Sequence, residues 1–144
     1  MKRIVLAVAV VALGVTAVMA QSDPIAARKA LMKENGGQSR IAREMIDGKQ
    51  PFDLAKAHTV LQTFAATNDK GKGLWPATSK TGETDSLPAV WENKADFDAK
   101  LAKFSADAKA QDTTVKDLDT FKAAMGEVGK NCGGCHNTYR KKQS

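Results

Sequence analysis

The chain has 144 residues, with 22 Lys and Arg against 16 Asp and Glu, a net charge of +6, and 42% hydrophobic residues. That length is one domain's worth, and the balance is mildly basic, which argues against nucleic acid as a partner. With two cysteines, two histidines, no Ser/His/Asp set, no phosphate loop and no carboxylate pair that stands out from surface charge, an enzyme is not expected.

The opening MKRIVLAVAVVALGVTAVMA places Lys2 and Arg3 before an uncharged apolar run from Ile4 to Ala20. It ends on Val18-Met19-Ala20, a small-residue cleavage pattern, ahead of Gln21-Ser22-Asp23. This is the layout of a signal peptide. The rival is an uncleaved anchor, but the run is slightly short of the ~20 residues a spanning helix needs. The expected division is therefore a cleaved signal at 1–20 and one exported domain at 21–144, with the bacterial periplasm as the natural compartment. Losing Lys2 and Arg3 takes +6 to +4. The remaining charges interleave as on a solvated helix surface, and only Arg140-Lys141-Lys142 is a concentrated positive patch.

The domain reads as four helices. The first opens at Asp23-Pro24, a good N-cap followed by a residue suited to the first turn, and stops at Gly48. Gly36-Gly37 in its middle marks a kink or a place where something large lies near the backbone. The second spans Phe52 to Thr67, with Leu54, Ala57, Leu61 and Phe64 on one face. Residues 68–87 form a loop rich in Gly, Pro, Thr and Ser. Trp75 and Trp91 flank it and are expected to be packing anchors, and Pro76 and Pro88 stiffen it. The third helix runs from Pro88 to Ala110, and the fourth from after Asp112-Thr113 to about Arg140. In the fourth, Val115, Leu118, Phe121, Met125, Val128, Cys132, Cys135 and Tyr139 recur at steps of three or four, one apolar stripe. Four amphipathic helices with mostly short links predict an all-α, antiparallel four-helix bundle.

Both cysteines lie on that stripe, in Cys132-Gly133-Gly134-Cys135-His136. Three chemistries use a C-x-x-C pair. A redox disulfide normally opens a helix after a strand in an α/β pattern, and no strands are expected here. Structural zinc needs four convergent ligands, and only the distant His58 could join these three. Covalent haem is the third: C-x-x-C-H is the c-type attachment signature, in which each thiol joins a haem vinyl group and the histidine ligates the iron. Haem c is the favoured cofactor, one per chain, with Cys132 and Cys135 as attachment points and His136 as axial ligand. An apolar macrocycle would also enlarge the core of a small, alanine-rich bundle.

A C-x-x-C-H that ends the chain, followed by Asn137-Thr138-Tyr139-Arg140, together with the opening ARKALMK, resembles the class II c-type cytochromes, the cytochrome c-prime family. The closest likeness is to their low-spin cytochrome c-556 members, and it covers essentially all of the domain. The resemblance implies that the first helix faces the distal side of the haem and that Met32 stands at the position where low-spin members carry a ligating methionine. Taken alone, a methionine on an amphipathic helix is usually core filler. Arg28, one turn before Met32, and Arg140, one turn after His136, are candidate contacts for the haem propionates, since a guanidinium suits a carboxylate. His58 is given no role by the resemblance. The implied function is one-electron transfer with redox proteins as partners, the chain being a monomer or a homodimer. The alternative is a five-coordinate haem that binds nitric oxide or carbon monoxide.

Overall fold

A computed structural model describes residues 23–142, so the signal peptide expected at 1–20 lies outside the described residues. Five α-helices follow in order: α1 (Pro24–Ile46), α2 (Leu54–Gly71), α3 (Ala89–Glu92), α4 (Lys94–Asp112) and α5 (Leu118–Tyr139). A short 3-10 turn at Ala77–Ser79 lies in the α2–α3 connection. The four long helices form an antiparallel bundle, and α3 is a single turn leading into α4. No helix among the described residues is long and apolar enough to cross a membrane.

Local chemistry sets the ends. The Asp23 carboxylate accepts the Ile25 N–H at 2.9 Å with Pro24 at the first helical position, so α1 starts where the cap and proline require. It closes before Gly48, whose φ of 72° is a left-handed conformation that glycine adopts without strain. Between these ends α1 runs as one continuous helix through Gly36-Gly37.

Three boundaries differ from the sequence reading. The second helix continues one turn further, to Gly71, because Thr67 and Asn68 are interior: the Asn68 amide donates to the Phe64 carbonyl at 2.8 Å. The third helix is broken at Asn93 (φ −114°, ψ 46°), giving α3 and α4. The last helix starts only at Leu118. There the Asp117 carboxylate accepts the Thr120 N–H at 2.9 Å and the Thr120 hydroxyl accepts the Asp117 N–H at 3.0 Å, a reciprocal cap. Val115, at the head of the stripe, is buried ahead of that helix.

The core has two parts. The larger gathers Met45, Leu61, Phe64, Phe121 and Val128 from α1, α2 and α5. The smaller joins Val90, Phe97, Leu101 and Tyr139, with Trp75, Trp91 and Cys135 packed against it. Helix α2 packs on both α1 and α4, and α4 on α5, whereas α1 meets α5 at few points. A cavity accounts for that last weak contact.

Candidate haem site

The cavity is about 590 Å³, within the ~300–1,000 Å³ usual for cofactor pockets. Cys132, Cys135 and His136 reach it from α5, Met32 and Arg28 from α1, and Arg140 from just beyond α5. All six site residues singled out from the sequence thus line one space.

On α5 the apolar period brings the motif inward. Cys132 and Cys135 are half-buried and not joined to each other, and burial pushes both thiols up from the ordinary range. His136 is half-buried too. Its burial, and then the charge of Arg140, hold its pKa below the usual imidazole value. A neutral imidazole keeps a nitrogen lone pair free for a metal. The end of α5 is pinned by Tyr139, whose hydroxyl donates to Asp96 of α4. That bond, with burial, pushes the phenol up to about 12. Among the described residues no three His, Cys, Asp or Glu side chains converge as a metal site of their own.

On α1, Arg28, Met32 and Asn35 follow at steps of four and three, one helical face turned to the cavity. Of the three methionines among the described residues, Met45 is core and Met125 packs beside it. Met32 alone lines the cavity, 44% exposed. Gly36 lines it as well, and a Cβ there or at Gly37 would meet nothing within 4 Å.

Arg28 is buried, yet its hydrogen bonds go only to neutral oxygens. They reach Leu74 O at 2.7 Å, Ser79 Oγ at 2.8 Å and Ser79 O at 3.3 Å. Its guanidinium carbon lies 4.2 Å from the centroid of the Trp75 ring. Desolvation lowers its pKa, an effect partly offset by the charge of Asp23. Trp75 is more than the anchor expected from sequence. It stacks edge-on with Phe97 and lines the cavity, and its indole N–H is buried without an acceptor among the described residues. Trp91 does serve as an anchor, donating through Nε1 to Trp75 O at 3.1 Å. A buried cation without a carboxylate and an unpaired indole donor fit a ligand that brings its own anionic oxygens into an apolar space. Haem, a flat apolar ring with two propionates, has that chemistry, and paired thiols with a neutral imidazole complete the donor set.

Sequence reasoning missed two groups. Ser79 and Leu74, which fix Arg28, come from the loop and carry no local signal. Asn35, Thr67 and Asn68 place polar atoms on the α1–α2 wall of the cavity, with the Thr67 hydroxyl donating to Asn35 Oδ1 at 2.6 Å. The spacing of Asn35 from Met32 and Arg28 was the available clue. His58 is elsewhere: its Nδ1 lies 2.7 Å from Asp112 Oδ1, joining α2 to the end of α4.

Comparison with known proteins agrees with this geometry. The cytochrome c' family profile matches residues 23–140. Cytochrome c' of Rhodopseudomonas palustris is 41% identical over 143 residues, covering 99% of this chain and 98% of that protein. Cytochrome c-556 of the same organism is 35% identical over 151 residues, covering 99% of each. The solved structure of R. palustris cytochrome c' superposes with a TM-score of 0.83 at 42% identity, covering 86% of this chain and 100% of that one. A C-x-x-C-H motif facing an apolar, cation-lined cavity in a helical bundle thus has its explanation: the chain belongs to the cytochrome c' family, a haem c protein family.

Proposed function

We propose that this protein is a periplasmic one-electron carrier in which His136 and Met32 are the axial ligands of a haem attached through Cys132 and Cys135. The observation that carries this reading is the convergence of His136 from α5 and Met32 from α1 on one cavity, Met32 alone among the described methionines. When bound, the haem supplies an iron that alternates between the ferrous and ferric states.

The chain's own residues account for the rest. Burial, and then the charge of Arg140, lower the pKa of His136, which favours the neutral ring that offers nitrogen. Met32 offers a soft sulfur, which favours the ferrous state and raises the potential. Arg28, Arg140 and the Trp75 N–H supply donors for the propionates. Phe97, Leu101 and Phe104 exclude water from one wall, so that little solvent reorganises when the charge changes. Processing of residues 1–20 as a signal peptide is part of the same proposal, because covalent attachment to this motif takes place outside the bacterial cytoplasm.

Gas binding is the competing reading. It is favoured by the exposure of Met32, a side chain with room to stand aside, and by the name of the 41% identical relative, cytochrome c'. Absorption spectra of ferric and ferrous holoprotein, wild type beside Met32→Ala, separate the two. We expect a low-spin wild type with a long-wavelength sulfur-to-iron charge-transfer band that the variant loses. A high-spin wild type, unchanged by the substitution and taking up carbon monoxide, would overturn the electron-carrier proposal.

A further inference from the structure

We propose that the mouth of the haem cavity, bordered by Lys29 and Lys33 of α1 and by Arg140 beyond α5, is the face on which an acidic redox protein docks. This rests on the electron-carrier reading and adds where the electron leaves and what kind of surface receives it.

Charge is distributed unevenly over the bundle. Four cations line the cavity (Arg28, Lys29, Lys33 and Arg140) against one carboxylate, Asp85. No ion pair among the described residues involves any of these four. Lys141 beside them bonds only a neutral oxygen, Thr84 O at 2.9 Å. The other face of α5 is the opposite case. A groove of about 350 Å³ between α4 and α5 adjoins Cys135 from outside and is also bordered by lysines. Those lysines are already neutralised: Lys103 by Asp107, Lys130 by Glu127 at 2.6 Å, and Lys100 by Asp96 at 3.7 Å.

Two propionates would answer the two arginines. Lys29 and Lys33, four residues apart on α1 and both exposed, would still have no ion-pair partner among the described residues. Unpaired lysines on the rim of a redox centre attract an anionic surface and orient it toward the opening. Their long side chains remain solvated, which suits a brief encounter rather than a tight complex. The paired lysines of the α4–α5 groove offer little such field beyond a Debye length of ~10 Å.

The test compares Lys29→Glu/Lys33→Glu with Lys103→Glu/Lys130→Glu in ferrous holoprotein by stopped flow. The oxidants are anionic ferricyanide and cationic tris(phenanthroline)cobalt(III). Each takes one electron from the ferrous iron, leaving ferric protein and the reduced complex, and no bond forms or breaks. With the α1 pair reversed, the ferricyanide rate should fall about tenfold at low salt and the cobalt rate should rise, both effects fading toward ~0.5 M salt. The α4–α5 pair should change either rate by less than about twofold. Poly-L-glutamate should slow ferricyanide oxidation of wild type and of the α4–α5 variant, but not of the α1 variant. Equal or larger effects of the α4–α5 pair, or rates indifferent to salt, would overturn the proposal. Failure of the electron-carrier reading would show separately, as a high-spin spectrum of the wild type whatever the rates.

Discussion

Arg28 shows how much one side chain can hold. Its guanidinium fork reaches three oxygens of the α2–α3 connection and lies over Trp75, tying the loop to α1 beside the cavity. Truncation to alanine leaves the Leu74 carbonyl and the Ser79 hydroxyl short of a donor in a buried place, a loss of about 1–3 kcal/mol. Lysine keeps the charge but not the fork, so Arg28→Lys should recover only part of that loss. Denaturant unfolding of the three holoproteins checks this order, wild type above Arg28→Lys above Arg28→Ala. Equal stability of the lysine variant and wild type would reduce Arg28 to a point charge. Sequence alone made this residue a propionate candidate or a solvated arginine, since its partners lie 46 and 51 positions away. Cys132, Cys135 and His136 were legible because their chemistry depends on local spacing. Arg28's role depends on a loop whose path no periodicity encodes.

At the scale of elements, the pairing of α2 with α4 has a pH-dependent tie. Asp69 near the end of α2 accepts from Lys109 of α4 at 2.7 Å and from Lys72 at 2.6 Å. Lys109 first, then Lys72, hold its pKa well below the ordinary carboxylate range. A carboxylate lowered on folding stabilises the fold above its unfolded value of ~4 and loses that contribution as the pH falls further. Asp69→Asn should therefore unfold at lower denaturant than wild type at pH 7, by no more than about 1 kcal/mol because the pair is exposed. The gap should shrink steadily as the pH falls from ~4 toward ~2, and a gap of unchanged size over that range would place the effect in packing instead. The helices themselves were largely legible, because the apolar periods of α2 and α5 show in the sequence and Asp23-Pro24 marks the start of α1, whereas the cap at Asp117 lies beyond the start expected after Thr113. The errors came where polarity misled. Thr67 and Asn68 read as the start of a loop, yet each is satisfied in the interior. The break at Asn93 had no breaker residue to announce it, and Val90 and Trp91 in the turn before it pack into the second cluster.

Across the whole molecule, the cavity separates a part that can hold itself together from a part that needs the cofactor. If a void of about 590 Å³ stayed dry, it would cost on the order of 14 kcal/mol at the rate measured for engineered core cavities, an upper bound because the mouth admits water. That figure is as large as the entire stability of an ordinary domain, about 5–15 kcal/mol. The bundle without haem should therefore loosen, and unevenly. Ala42 and Met45 at the far end of α1 belong to the larger cluster with α2 and α5, away from the cavity. Arg28, Met32 and Asn35 at the near end face the cavity instead, where α1 has few contacts with α5. In a Cys132→Ala/Cys135→Ala protein prepared free of haem, helical circular dichroism should fall and a hydrophobic dye should bind. Hydrogen exchange should lose protection in residues 24–39 and in the α2–α3 loop while the α2–α4 contact keeps it. An apoprotein with full helicity, a single cooperative transition and uniform protection would mean that the two clusters suffice, and that haem fills a bundle already able to stand without it.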